Sequence, residues 1–522
     1  MRRRGHASGV ILALLWTTLG STAWAGPHWH FRKGLRVDTD WSGNVFLDDA
    51  NIQRDLVIGI QPRFSINRKA RRSRTSISYN PIFRYYTQGT HANRIEHRLT
   101  ASSDVEVIRD LLGLRANAGI SQRLVDRRQA SAGDTVANPD NVTDTYTLRL
   151  SPYLRPQRLG RYAVLNAGLN FDLVDYSKSG RNTATGTVRD GRARSVNLSL
   201  RSGPFFSRTH WSLSSRRRLE IYKDRNDNTF GNILANLTYR LSRHWDARAR
   251  LGYDQNDYES NHRTSGTQWG LGVGWHPNRR ISGTFDFGRR YFGQDFNVSL
   301  TYRHRRSSLS LRLARDISTS LNDAGRNVGS PPPLAPLNAA QNAQGAQTQE
   351  TTADAGQNQD NGAARQQGTD QGTGQAVNPF DIDTGAPDAT DQVFIVDSYN
   401  LSYNLALRRS DLGLSLYHYR RDYQAVTAEP TDTGLRLSLS RNLTPKLSGR
   451  LNLGLTLHGN EPDPNLEYRQ WAASLRFTRK LGEDTSLVFG YRFTKRTSEG
   501  SGGRDFSEDR LKLSIVNNGF FD

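Results

Sequence analysis

From about residue 33 the chain alternates apolar and polar positions with a period of two, and it does so almost to its end. Leu112, Leu114, Ala116, Ala118 and Ile120 interleave with Gly113, Arg115, Asn117, Gly119 and Ser121. Trp269, Leu271, Val273 and Trp275 repeat the pattern around Gly270, Gly272 and Gly274. Leu451, Leu453, Leu455 and Leu457 repeat it around Asn452, Gly454 and Thr456. Successive side chains of an extended backbone point to opposite faces, so strict alternation sets one face in an apolar medium and the other in a polar one. The runs last roughly nine to fourteen residues, beyond the usual soluble strand and matched to a tilted crossing of a bilayer.

The connections alternate in length as well. Short turns fall at 67–72, 108–110, 156–160, 202–206, 242–244, 276–279, 304–307, 408–411, 443–446 and 480–484. Between them lie longer polar loops, among them 125–143, 177–190, 223–228, 254–264, 458–465 and 496–508. Short turns on one side and long loops on the other are the layout of an outer-membrane barrel. The expected fold is therefore an all-β transmembrane antiparallel barrel of about 22 strands, within a range of about 18 to 24, with both termini periplasmic. The long loops are expected to project outward, leaving sites near 130–140, 258–262 and 350–365 open on the cell surface.

Two segments stand outside this pattern. Residues 1–25 read as a secretory signal: Arg2, Arg3 and Arg4 are followed by an apolar stretch from Val10 to Leu19, then Ala23-Trp24-Ala25. Cleavage is expected between Ala25 and Gly26, leaving residues 26–32 as a short lead-in. Residues 319–391 are rich in Gln, Asn, Gly, Ala and Thr, with Pro331-Pro332-Pro333 and Phe380 as the one aromatic. They carry nine acids and two arginines, so the segment reads as an acidic, disordered extracellular loop beside a cationic barrel, able to cover its mouth. The barrel is thus expected in two parts, 33–318 and 392–522.

Composition narrows the class. Hydrophobic residues make up 35% of the chain and mean hydropathy is −0.69, which suits a thin apolar skin around a polar interior rather than several packed soluble cores. Beyond the N-terminus no apolar run is long enough for a spanning helix. Cysteine is absent, which removes disulfides, thiolate catalysis and cysteine metal sites. Net charge is +21, and with 8 Lys among the 71 basic residues the charge is almost all guanidinium. Nucleic acid is the first partner such a balance suggests, but the export signal sets it aside.

Candidate chemistry is sparse. Gly26-Pro27-His28 invites an amino-terminal copper site, yet Pro27 has no N–H to give. His28 and His30 then read as unstructured lead-in. Gly270, Gly272 and Gly274 lack the last glycine and the helix of a phosphate-binding loop. The best acid/base candidates are His262 with Glu259 and Asp257, then His458 near Asp463, and neither has a nucleophile at defined spacing. No enzyme, cofactor or metal is expected. The short stretch before Lys33 leaves no room for the plug of a gated nutrient receptor.

The arginines carry the remaining signal. Phasing each strand by its apolar partners puts Arg115, Arg149, Arg155, Arg216, Arg218, Arg248, Arg250, Arg303, Arg312, Arg436, Arg450, Arg476 and Arg492 on the inner face, against the inner acids Asp172, Glu220, Asp246 and Asp286. Charge facing lipid is costly, so inward placement is required; an excess of one sign is not, and rings of Arg are how pores favour anions. Arg ladders bracing a wide barrel against Asp, Glu and Tyr give the same pattern.

Several strand and turn motifs carry a resemblance: Asp40-Trp41-Ser42-Gly43-Asn44-Val45-Phe46-Leu47, Asn93-Arg94-Ile95-Glu96-His97-Arg98-Leu99, Asp110–Ser121, Gln122-Arg123-Leu124-Val125-Asp126, Tyr146–Tyr153 and Asn170–Tyr176. They resemble the outer-membrane β-barrels associated with bacterial PEP-CTERM sorting and exopolysaccharide loci. The resemblance covers the first third of the chain and implies a porin-like Gram-negative outer-membrane protein near polysaccharide export, without supplying functional residues. The expectation is an Arg-lined pore for anionic, glycan-like solutes. Its partners would be outer-membrane lipid and lipopolysaccharide, the barrel-assembly machinery, anionic polysaccharide and export-machinery proteins. The alternatives are a sealed structural or adhesive barrel that binds matrix polysaccharide and, behind it, an outer-membrane hydrolase.

Overall fold

Each strand pairs antiparallel with the next in sequence, from Trp29–Ser42 against Asp55–Ala70 to Thr485–Ser498 against Phe506–Asn517. Leu35–Ser42 also pairs with Arg510–Asn517, so the first strand meets the last and no edge is left unpaired. The computed structural model describes residues 29–519 apart from 127–128, 133, 181, 184–185, 224, 320, 322–391, 462–465 and 499–504. The signal segment 1–25 and residues 322–391 of the acidic insert therefore lie outside the described residues.

The wall is a closed antiparallel barrel of 22 strands. Two of these strands are bent. Ser73–Tyr79 and Ile82–Tyr86 are halves of one, divided at Asn80-Pro81, where proline has no N–H for the ladder. Arg94–Glu96 and Leu99–Ile108 are halves of the next, and the Asn80 N–H donates to the Arg98 carbonyl at 2.8 Å to keep the two breaks together. Register shifts at Glu106/Ile108, Leu154/Gln157 and Trp275/Asn278 sit beside short turns, where a bulge bends a strand end without disturbing the membrane span.

The two faces follow the alternation. Leu251 and Leu271 stand outward at 66% and 64% exposure, with Ile233, Phe287, Leu198 and Leu513 on the same face, an apolar skin that only a bilayer would cover. The inner face is polar but unevenly filled. On Thr209–Tyr222 and Val393–Ala406, burial deepens toward the long-loop end, at Tyr222 and Val393. Toward the short turns the inner positions are half-buried or exposed.

The structure corrects two expectations drawn from spacing. The first strand begins at Trp29, so residues 29–32 are wall rather than lead-in, and His30 pairs with Asn67. The cause is the unusual length of the partner strand, Asp55–Ala70, whose Arg68 also lies over the Trp29 ring at 5.1 Å. The loop after Leu124 does not project outward: Ala130, Ala132, Asp134, Thr135, Val136 and Ala137 are all buried.

Candidate functional site

The loop between the strands Leu112–Leu124 and Val142–Leu159 folds over the long-loop mouth of the barrel. Its neck is closed by Asn141, whose amide donates to the Asp126 carbonyl at 2.7 Å and whose carbonyl oxygen accepts the Asp126 N–H at 3.0 Å. Asn138 takes the left-handed backbone at φ 47°, and its side chain donates to Ala130 O at 2.7 Å. Ala130, Ala132 and Ala137 then pack with Leu47 and Phe506, while Val136 packs with Val57 and Tyr86. Small apolar residues let this loop lie flat against the wall.

Charge fixes it in place. Asp134 sits between Arg492 and Arg510 of two adjoining strands, and Arg510 also grips Glu508. On the other side Glu96 receives Arg84 at 2.7 Å and the Thr135 hydroxyl at 2.7 Å, and Arg94 donates to the Thr135 carbonyl. Further along the wall, Gln470 and Arg496 donate to Ser131 O and Gln129 O, each at 3.0 Å. Two neighbouring loop residues thus tie together strands that flank the first hairpin, Thr485–Ser498 and Phe506–Asn517 on one side and Ile82–Tyr86 and Arg94–Glu96 on the other. Removing Asp134 leaves buried arginine charge uncompensated.

A second set of contacts lies elsewhere along the long-loop rim. The Thr319 hydroxyl donates to Glu220 at 2.9 Å, and Leu321 packs with Val174, Tyr176, Ala193 and Tyr222. The Asn261 N–H donates to Gln424 O at 3.1 Å, joining two loops from separate hairpins. Tyr258 packs with Phe230, Ile317 and Val393, and burial pushes its phenol up to about 12, so it stays neutral beside Tyr291.

Beneath the mouth the inner arginines divide into two groups. Arg115 meets Asp104 at 3.1 Å, Arg149 meets Asp172 at 2.5 Å, Arg218 bridges Asp172 and Glu220 at 2.7 Å each, and Arg248 meets Asp286 at 2.8 Å. Arg250 pairs with Asp295, and Arg155 lies 3.5 Å from Glu106. These residues, with Arg492, brace the wall. Arg303, Arg312 and Arg450 are different: among the described residues their guanidinium groups hold no ion pair. Arg450 stands directly opposite Arg476 in the register, and Arg436 lies over the Tyr417 ring at 4.9 Å. Arg216 shares the inner face with Arg218. Arg450 lines a cleft of about 350 Å³ with Asn404, Ser438, Ser440 and Asn452, where the Asp411 carboxylate adds one charge of the opposite sign and Leu405 and Leu412 an apolar part.

The acid/base candidates do not assemble a catalytic site. Glu259 is held by Arg225 at 2.9 Å, and His262 is exposed. Asp463 lies outside the described residues. His458 has its two ring nitrogens against Asp432 at 2.9 Å and Glu461 at 2.8 Å, which leaves neither free to take a proton from a nucleophile. Its ring stacks on Tyr468, which carries Arg496 on its other contact at 3.5 Å. Among the described residues no cluster of metal-ligating side chains occurs.

No protein-family model matches the sequence, and no curated protein matches it either. Solved structures do. The ferric enterobactin receptor PfeA of Pseudomonas aeruginosa, in complex with BCV-L6, is 10% identical, with a TM-score of 0.51 over 95% of this chain and 82% of that one. A point mutant of the same receptor gives 0.50 over 95% and 81%, again at 10% identity. The FrpB iron transporter of Neisseria meningitidis (F3-3 variant) gives 0.49 over 95% and 82%, also at 10% identity. What this chain shares with the enterobactin receptor is the fold: a large outer-membrane barrel.

Proposed function

We infer that this protein is an outer-membrane transport barrel whose long-loop mouth is closed at rest, and whose Arg-lined vestibule takes up anionic, glycan-like solutes from the short-turn side. The observation that carries the reading is that Arg303, Arg312 and Arg450 hold no ion pair among the described residues, whereas Arg149, Arg218 and Arg248 on the same inner face do. A ladder built only to brace would have matched them with carboxylates, as it matches Arg149 and Arg218. The hydroxyl and amide lining around Arg450 suits a polyhydroxylated anion better than a greasy one. The short-turn side is periplasmic in this reading, so solute would travel outward. The PEP-CTERM and exopolysaccharide resemblance makes an export machine the expected partner.

The alternative is a sealed surface barrel that binds matrix polysaccharide through its loops, and the paired arginines of the mouth favour it. Selectivity separates the two. In planar bilayers, reversal potentials across a KCl gradient should report anion preference, and R303Q/R312Q/R450Q should abolish most of it. The effect should fade as salt rises and the screening length falls from ~10 Å at 0.1 M to ~3 Å at 1 M. Unchanged selectivity would reduce these residues to wall polarity.

A further inference from the structure

Three outward arginines crowd one patch of the outer wall. Arg192 and Arg194 share a face of the strand Gly191–Ser202 with lipid-exposed Val196 and Leu198. On the neighbouring strand, Thr209–Tyr222, Arg217 shares the outward face with Leu213. The register sets Arg194 opposite Leu219 and Arg217 opposite Val196, so Arg194 and Arg217 are diagonal neighbours. Spacings of ~7 Å follow from Arg192 to Arg194 and from Arg194 to Arg217, so Arg194 is the middle of a row of three guanidinium groups. On the far side of Arg217 the register places Gly231, so no side chain covers it from there.

All three are exposed, and none makes a hydrogen bond or ion pair with the described residues. Arg192 alone feels a nearby carboxylate, that of Asp175 on the adjoining strand. Two outward arginines elsewhere on the wall have carboxylate partners, whereas Arg289 and Arg469 stand exposed and unpaired, each without a second arginine beside it. Arg315 grips Asp397 at 2.5 Å, and Arg420 grips Glu429 at 2.6 Å. Three like charges this close repel one another, and they do so on a wall that faces lipid, where uncompensated charge is costly. An anion between them removes both penalties.

Height on the wall identifies the anion. Arg192 lies one residue from the long-loop end of its strand, and below the three arginines come Val196, Leu198, Leu213 and Ile233, a continuous apolar surface. This is the level at which acyl chains give way to headgroups. Guanidinium groups suit phosphate through paired, charge-assisted hydrogen bonds.

We propose that Arg192, Arg194 and Arg217 form a binding site for the phosphate of a membrane glycolipid headgroup, with its acyl chains lying along Val196, Leu198 and Leu213. The proposal rests on the outer-membrane placement and is independent of whether the barrel conducts. It is tested by native mass spectrometry of the delipidated, detergent-purified barrel titrated with bisphosphorylated lipid A, with dephosphorylated lipid A, and with inorganic phosphate. The bisphosphorylated form should half-saturate the protein at a concentration at least tenfold below that of the dephosphorylated one. R192Q/R194Q/R217Q should erase that difference, and the corresponding triple lysine variant should keep part of it. If the triple glutamine variant does not assemble, R194Q, the middle of the three, should show a several-fold loss. Millimolar inorganic phosphate should not displace the glycolipid. Equal binding of the two glycolipids, wild-type binding by the glutamine variants, or displacement by inorganic phosphate would each overturn the proposal.

Discussion

Asp134 shows how much of this molecule turns on single charges. Its carboxylate lies between Arg492 and Arg510, while the next residue, Thr135, reaches Glu96 and Arg84 on the other side. Removing one partner of a buried ion pair costs ~3–5 kcal/mol, because the remaining charge is left without compensation. Asp134→Asn should therefore loosen the docked loop rather than the wall, whose ladders it does not touch. The absence of cysteine makes the test clean. In Ala132→Cys, a thiol at a position 1% exposed should react slowly with an impermeant maleimide on intact cells. Adding Asp134→Asn should speed labelling at least tenfold, and fast labelling of the single variant would contradict the docked loop. The shared face of Arg149 with Asp172 and of Arg248 with Asp286 was legible from strand phase. The partner brought by the loop was not: Asp134 and Arg510 are 376 positions apart, and no local pattern links them.

At the scale of elements, the alternation that marks the strands also hides where they are pinned. Gly113 lies opposite Tyr153 and Gly434 opposite Tyr417 in the register, and each ring covers its glycine. A Cβ at Gly113 would meet the Tyr153 ring at 2.3 Å, and one at Gly434 would meet the Tyr417 ring at 2.2 Å. These glycines lock neighbouring strands by close packing rather than by turn geometry. Gly434→Ala should push Tyr417 off its neighbour and cost ~1–3 kcal/mol, read as a lower urea midpoint for unfolding in detergent. An unchanged midpoint would mean the ring moves freely. The order of short turns and long loops was legible from spacing, because turn chemistry is local. The inward course of the loop after Leu124 was not, since loop length carries no direction. Its signal was the apolar set Val125, Ala130, Ala132, Val136 and Ala137 within an otherwise polar stretch, more than an outward loop has reason to carry.

The whole molecule is a wide barrel whose own chain turns inward at its long-loop end. A wall of 22 strands encloses far more space than inner side chains alone can fill, so closure has to come from something laid across the lumen. In the proposed reading the loop after Leu124 and the residues Thr319 and Leu321 supply it, with a vestibule beneath them on the short-turn side. Arg492 and Arg510, at the long-loop end, are paired with Asp134, and Arg115 and Arg248 with Asp104 and Asp286, whereas Arg303, Arg312 and Arg450 hold no ion pair among the described residues. Planar-bilayer recording of the intact protein beside a variant with residues 127–137 replaced by a short Gly-Ser linker tests this closure most directly. The account predicts rare, small openings from the intact barrel and stepwise, anion-selective conductance at least tenfold larger from the variant. Equal conductance of the two, whether both open or both silent, would contradict it.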